Sequence, residues 1–122
     1  MFPDYWKAFA TEHRLARKTA CIDEDDDASG LGADLLFLTE AQSDDELANC
    51  WPGLGVGKDG YVPVAACATG SGDYYYIDSR EGAGGALYRI YHDAVGPEGY
   101  DPDEAIELVL EHHADVLRHL GP

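Results

Sequence analysis

"YVPVAACATGSGDYYYID", residues 61–78, is the stretch of sequence that decides the fold. Two runs rich in β-branched and aromatic residues, typical of strands, flank the sequence TGSG, whose glycines can adopt the positive φ angles of a tight turn. A phosphate-binding glycine loop would lead into a helix N-terminus, whereas this one leads into three tyrosines. The pattern therefore predicts an antiparallel hairpin, and Pro63 indicates either an edge strand or the start of a strand.

The neighbouring segments extend this hairpin into a larger sheet. Residues 33–39 form an apolar run of strand length bounded by turn residues, and residues 17–22 and 86–92 are further strand candidates. The connections on both sides of the second hairpin strand are short and rich in glycine, which implies antiparallel neighbours. We therefore expect an antiparallel meander.

Helices are predicted before the sheet and within it. Residues 2–15 carry aromatic side chains at helical spacing. Residues 43–51 begin with a capping box formed by Ser43 and Glu46. The glycine-rich stretch that follows, residues 52–60, is predicted to be a loop that ends in an Asp-Gly turn.

The C-terminal segment carries the strongest helix signals in the chain. Asp101 can cap a helix, Pro102 suits its first turn, and an apolar stripe continues at helical spacing as far as Leu120. We therefore expect a long helix here. Together with the strands, this predicts a single α+β domain over residues 1–122, an antiparallel meander sheet with N-terminal and C-terminal helices packed on it.

The charge of the chain is strongly negative and unevenly distributed. The sequence has 24 acidic and 8 basic residues, a net charge of −16. Residues 1–20 hold four basic and two acidic residues, so residues 21–122 carry a net charge of −18. Such a surface repels nucleic acid and anionic lipid and attracts basic proteins, although a salt-adapted proteome gives the same composition. We expect no nucleic-acid or membrane partner.

The cysteines and the acidic loop offer little support for a metal or cofactor. Cys21, Cys50 and Cys67 form no CxxC pair, which favours reduced thiols in a cytoplasmic protein without a signal peptide. The loop DEDDDASGLGADL is close to a calcium loop beginning at Asp25, but Leu36 stands where a bidentate glutamate is needed. A solvated acidic loop that binds calcium weakly is the expectation, with no metal site and no cofactor.

The histidines do not form a recognisable catalytic motif. His92 and Asp93 follow a predicted strand, where a histidine can act as a base, but no third partner or nucleophile motif accompanies them. His113 lies on the apolar stripe of the predicted C-terminal helix and is expected to be a core histidine. A metal-dependent hydrolase that uses His92 and Asp93 is the less favoured alternative, and we expect no enzymatic activity.

Four motifs follow one another along the chain: FPDYWKAF at the N-terminus, ADLLFLTEAQ, the hairpin stretch YVPVAACATGSGDYYYID, and GGALYRIYHD. Their order resembles that of the SUKH superfamily, the group of the yeast Smi–Knr cell-wall regulators, whose opening motif reads LPxDYxxFL. Two departures stand out. HRLARK replaces the asparagine-glycine that commonly follows the family's first helix, and Asp101 and Pro102 stand where the family has a serine-phenylalanine start.

The resemblance implies an α+β fold without catalysis. Many bacterial members of the family look like immunity proteins that bind and neutralise a cognate toxin, often a nuclease, and others look like regulatory scaffolds. A nuclease is basic where it grips phosphate, so an acidic protein can occupy that surface. We therefore expect a non-catalytic domain that binds a basic partner protein, with a nuclease-type toxin domain as the leading candidate and a regulatory scaffold as the alternative.

Partner-binding residues are predicted on the second strand of the hairpin. Alternation puts Tyr74, Tyr76 and Asp78 on one face. If Ile77, on the other face, points to the core, the two tyrosines flank an acid on an open surface, and tyrosine is a common anchor of protein interfaces. Helices that cover this face are the alternative. The predicted partner-binding residues are Tyr74, Tyr76, Asp78 and Asp73.

Overall fold

The fold is an antiparallel meander of six strands, seen in a computed structural model that describes residues 2–121. Each strand pairs with the next one along the chain, in the order β1-β2-β3-β4-β5-β6. The predicted α+β class and the antiparallel meander are confirmed. The strands are β1 (Thr19–Ile22), β2 (Ala33–Phe37), β3 (Tyr61–Cys67), β4 (Tyr74–Asp78), β5 (Leu87–Ile90) and β6 (Ile106–Leu110).

The hairpin of β3 and β4 forms as the sequence predicts. Gly70 and Gly72 in its connection have φ angles of 83° and 86°, a conformation that glycine adopts without strain. Pro63 does not mark an edge, because β3 lies between β2 and β4. The register shifts between Pro63 and Ala65, and such an irregularity accommodates a residue that has no N–H to donate to the ladder.

The helices are short and differ from the predicted ones in three places. Residues 52–60 are not a plain loop, because they form a helical turn and a 3₁₀ turn. The helices are α1 (Asp4–Glu12), α2 (Glu40–Asn49), α3 (Gly53–Val56) and α4 (Pro102–Ala105), and the 3₁₀ turns are Gly57–Asp59, Gly82–Gly84, His92–Ala94 and His113–His119.

The capping box of α2 uses other residues than those predicted. Thr39 accepts a hydrogen bond from the Gln42 backbone, and the Gln42 side chain accepts one from the Thr39 backbone. Ser43 lies one turn inside the helix, where its hydroxyl donates to the carbonyl of Pro63 at 2.7 Å. The predicted cap at Ser43 is therefore wrong, and this buried serine instead fastens α2 to β3.

The long C-terminal helix is the largest error of the sequence interpretation. Asp101 caps α4 by accepting from the Asp103 backbone, but the helix ends at Ala105 and the chain continues as β6. Pairing β6 with β5 satisfies the backbone groups of both strands along the sheet, and this tertiary gain outweighs the local helical preference. Ile106 and Val109 are β-branched and suit the extended conformation.

Hydrophobic residues pack on both faces of the sheet. On one face, α1 brings Trp6 against a cluster that includes Tyr75 and Ile77. On the other face, Tyr76 packs against Val56 of α3 and the segment between β5 and β6. The predicted alternation along β4 is confirmed. None of the helices described in residues 2–121 is long and apolar enough to cross a membrane.

His113 is a core residue, as predicted. Its ring stacks on Tyr5 with centroids 5.7 Å apart and meets Trp6 and Phe9 edge to face. Nδ1 is buried and has no hydrogen-bond partner. Burial lowers the pKa of His113 below its usual range, only partly opposed by the carbonyl of Gly85, so the neutral ring belongs to the folded state.

Candidate functional site

The face of β4 that was predicted to be open is covered. Tyr76 is fully buried, and Asp78 is buried as well. Tyr74 and Asp73 are half-buried. The premise that Tyr76 lies on an open surface is therefore wrong, because α3 and the segment between β5 and β6 close that face of the sheet.

Tyr76 is a core tyrosine whose hydroxyl group has no hydrogen-bond partner. Burial raises the pKa of Tyr76 far above its usual range, helped by the negative charge of Glu46. The Tyr76 side chain therefore packs in the core and is not accessible to a partner protein.

Asp78 ends β4 and is held by the residue two positions later. Its Oδ1 accepts from the backbone N–H and Nε of Arg80, each at 2.9 Å, and its Oδ2 accepts from Nη2 at 2.8 Å. Burial acts to raise the pKa of Asp78, but these hydrogen bonds outweigh it and lower the pKa. The backbone carbonyl of Asp78 also accepts from the Tyr5 hydroxyl at 2.9 Å. The side-chain carboxylate and the backbone carbonyl of Asp78 are thus both hydrogen-bonded within the fold.

Tyr74 is the predicted tyrosine that reaches the surface. It borders a cleft of about 330 Å³ whose other wall is formed by α2, including Asp45 and Glu46. Burial raises the pKa of Tyr74 to about 12, and the charge of Glu46 adds to the effect. An aromatic ring beside carboxylates is a suitable seat for a lysine or arginine side chain, which has an apolar stem and a cationic head.

Two exposed apolar residues were not predicted from the sequence to be binding residues. Trp51 lies between α2 and α3 and Leu54 lies in α3, and they are 41% and 42% exposed. This segment packs on α2, because a Cβ at Gly53 would collide with the backbone of Glu46. We call Asp45, Glu46, Trp51, Leu54 and Tyr74 the acidic aromatic face. Tryptophan and tyrosine are enriched among the residues that anchor protein interfaces. The signal in the sequence was the tryptophan itself, which stands at the end of the predicted helix 43–51, directly before the predicted loop 52–60.

The turn between β3 and β4 brings Asp73 into contact with His92. Asp73 Oδ1 accepts from the backbone N–H of His92 at 2.9 Å and lies 2.6 Å from His92 Nδ1. The structure therefore gives His92 a carboxylate partner, which is Asp73 and not the adjacent Asp93. Among residues 2–121, no hydrogen bond joins His92 to a serine or cysteine, so the pair lacks the contact to a nucleophile that a catalytic triad requires.

Cys67 is the last residue of β3, directly before the same turn, and differs from the other two cysteines. Burial acts to raise the pKa of its thiol, but hydrogen bonds from Ser71 and Thr69 outweigh it and lower the pKa to about 7. The other two thiols have raised pKa values. A hydrogen bond to Asp34 and the charge of that carboxylate raise the pKa of Cys21. Burial raises the pKa of Cys50, and the charge of Glu46 adds to the effect. Cys67 is therefore the thiol with the most thiolate at neutral pH.

The acidic loop is fastened to the sheet by its last aspartate. Asp27 is buried, and its Oδ2 lies 3.3 Å from Nη2 of Arg89 on β5. Its Oδ1 accepts from both the backbone N–H and the hydroxyl of Ser29 at 2.7 Å. The expectation of a solvated loop holds for residues 23–26, which are exposed, and is wrong for Asp27.

Arg89 gathers the contacts that hold this loop. It donates to the carbonyl of Gly32 at 2.7 Å and to Glu107 Oε1 at 3.1 Å, and its guanidinium lies 5.3 Å from the ring centroid of Tyr75. The Asp27 carboxylate is therefore occupied by a cation of the protein itself. No group of three or more histidine, cysteine, aspartate or glutamate residues within the described range 2–121 is arranged to hold a metal ion.

Comparison with protein-family models, with curated proteins and with solved structures gave no match. The resemblance to the SUKH superfamily thus rests on the motifs quoted above and stays a prediction.

Proposed function

We propose that the protein is a binding protein for a basic partner protein and that the acidic aromatic face is where the partner docks. The observation that carries the proposal is the exposure of Trp51 and Leu54 in the segment that packs on α2, the helix whose Asp45 and Glu46 line the cleft at Tyr74. Aromatic and aliphatic anchors supply most of the binding energy of an interface, whereas surrounding charges select the partner and speed its approach.

The distribution of charge supports a basic partner. Of the acidic residues in the described range, only Asp27 and Asp78 are buried, so nearly all of the negative charge lies at the surface. A surface of this kind attracts a positively charged protein and raises the association rate by about 10- to 1000-fold at low salt. The basic groove of a nuclease matches this charge.

The leading candidate is a nuclease-type toxin, which the protein would neutralise as an immunity protein in the cytoplasm. This part of the proposal rests on the resemblance to the SUKH superfamily together with the acidic surface. A regulatory scaffold that binds a basic partner with the same face is the alternative. The two are distinguished by the neighbouring gene, since a toxin domain encoded beside this chain supports the immunity function.

The test of the proposal is binding kinetics with that toxin domain. We expect the association rate to fall steeply as salt rises from low to physiological concentration, because surface charges are screened beyond about 8 Å at 0.15 M. Replacing Trp51 with alanine is expected to weaken binding by about 2 kcal/mol or more, mainly through faster dissociation.

A matched pair of leucines controls for the loss of apolar surface. Leu54 lies on the acidic aromatic face, whereas Leu36 lies on β2 and is exposed to nearly the same extent, 42% against 39%. We expect Leu54→Ala to weaken binding and Leu36→Ala to leave it unchanged. Equal effects of the two variants, or an association rate that ignores salt, would refute this docking face.

The covered tyrosine gives a further control. Because Tyr76 is buried, Tyr76→Phe is expected to leave partner binding unchanged, whereas Tyr74→Ala removes one wall of the cleft and is expected to weaken it. A loss of binding in Tyr76→Phe with the fold intact would restore Tyr76 as an anchor.

A further inference from the structure

A second cleft lies between α1 and the start of α2, and it shares Leu38 with the cleft at Tyr74. Its volume is about 360 Å³, within the range of small-molecule sites. Its apolar lining comes from Phe2, Ala10, Ala16 and Leu38. Mostly apolar walls with a few polar groups are typical of sites that bind small organic ligands.

Within residues 2–121, one cation in the lining of this cleft takes part in no ion pair. Lys7 lies 3.5 Å from Glu40 Oε2, and both of them line the cleft, so these two charges offset each other. Arg14 also lines the cleft and is exposed. None of the ion pairs between residues 2–121 includes Arg14.

The backbone at Arg14 has an unusual conformation for its residue type. Its φ angle is 52°, and Arg17 three positions later has a φ angle of 68°. Glycine or asparagine adopts this left-handed region more readily than arginine does. The end of α1 accounts for this conformation at Arg14, because Arg14 N–H donates to the Thr11 carbonyl and Leu15 N–H donates to the Ala10 carbonyl, the Schellman ending of a helix. Arg14 therefore closes α1, and its side chain lines the cleft.

We propose that this cleft binds a small organic carboxylate with an apolar tail. The carboxylate would pair with the Arg14 guanidinium, and the tail would lie against Phe2, Ala16 and Leu38. A guanidinium binds a carboxylate through two parallel hydrogen bonds, and Thr11 in the same wall offers a hydroxyl group as a further donor.

The negative charge of the protein limits how many negative charges a ligand of this cleft can carry. The net charge of −18 over residues 21–122 repels nucleic acid and anionic membranes, which carry many charges. A ligand with one negative charge meets far less repulsion and needs only one unpaired cation. Apolar walls then account for the remainder of its affinity.

The experiment is a titration of the protein with octanoate, followed by amide chemical shifts and calorimetry. We expect saturable binding with a Kd of about 1 mM or tighter and shifts concentrated at the residues that line the cleft. Octylammonium, which has the same tail and the opposite charge, is expected not to bind there. Absence of saturation at about ten times that Kd, or equal binding of octylammonium, would overturn the proposal.

Two glycine substitutions separate the backbone from the side chain. Arg14→Gly and Arg17→Gly both relieve a left-handed conformation, so each is expected to raise the thermal midpoint. Only Arg14 lines the cleft, so Arg14→Gly is expected to weaken octanoate binding about tenfold or more, whereas Arg17→Gly keeps it within about threefold. Retained affinity in Arg14→Gly, or the same loss in both variants, would contradict the assignment of Arg14.

Discussion

Two buried aspartates in this acidic protein are each paired with an arginine, but in opposite ways. Asp27 meets Arg89, 62 residues later in the chain, and the side chains of both are at most 8% exposed. Asp78 meets Arg80, only two residues later, and the arginine side chain is 63% exposed.

The two aspartate–arginine pairs have different structural roles. The Asp27 pair joins a loop to the sheet and is shielded from water, so removing Arg89 leaves the buried Asp27 carboxylate without its cation. The Asp78 pair caps the end of a strand, and water reaches its arginine, so water can replace much of what is lost. We therefore expect stability to depend on the first pair far more than on the second.

The largest effect is expected for Arg89→Met. This variant removes the cation from buried Asp27 and the donor to the carbonyl of Gly32, and it should lower the free energy of unfolding by about 3–5 kcal/mol. Chemical denaturation measures the change. The double variant Asp27→Asn, Arg89→Met is expected to recover part of the loss, because it removes the unpaired charge. A loss below about 1 kcal/mol in the single variant would show that the pair is not shielded as described.

A much smaller effect is expected for Arg80→Met. The backbone N–H of residue 80 still donates to Asp78, and water replaces the exposed guanidinium. The loss of unfolding free energy should be a minor fraction of the loss in Arg89→Met under the same conditions. Equal losses in the two variants would remove the distinction between the pairs.

The dependence of stability on pH sharpens the comparison at Asp78. The pKa of Asp78 is lowered in the folded state, so its contribution is fully present above the unfolded value of about 3.9 and is lost as the pH falls through the folded value. Asp78→Asn should therefore be less stable than the parent at pH 7 and should lose less stability between pH 5 and pH 3. Parallel acid denaturation curves for the two proteins would contradict this.

The smallest effect is expected for Tyr91→Phe, with Tyr88→Phe as its control. Each hydroxyl donates to a glutamate at 2.6 Å, Tyr91 to Glu107 and Tyr88 to Glu81. Each loss should be about 0.5–1.5 kcal/mol. Only Glu107 also contacts Arg89, so a double-mutant cycle with Arg89→Met should show coupling for Tyr91 and none for Tyr88.

These contacts also explain which parts of the fold the sequence could predict. The β3–β4 hairpin depends on residues near one another in sequence, and its glycines and tyrosines carry the signal locally. The Asp27–Arg89 pair joins residues far apart, and no local pattern marks it. The expectation of a solvated acidic loop was wrong at Asp27 for that reason, although it holds for residues 23–26.

The candidate site was predictable only in part. Alternation along β4 assigned Tyr74 and Tyr76 to the correct face, but strand periodicity does not say whether another layer covers that face. Leu54 was missed because it lies among glycines that favour a loop, whereas this stretch forms the short helix α3. Trp51 was missed because it closes the predicted helix 43–51, and nothing local says that its side chain stays exposed. Burial is a property of the packed layers, and a single sequence encodes it weakly.

The change from helix to strand at Ala105 has a consequence for the order of folding. Local helical preference acts alone in the unfolded chain, so we expect residues 101–120 to form transient helical turns there. These turns must unwind beyond Ala105 before β6 can add to β5. The hairpins of β3, β4 and β5 have short connections and no such conflict, so they should form early. The addition of β6 thus becomes a late step, and helix-stabilising substitutions in residues 106–110 should slow it.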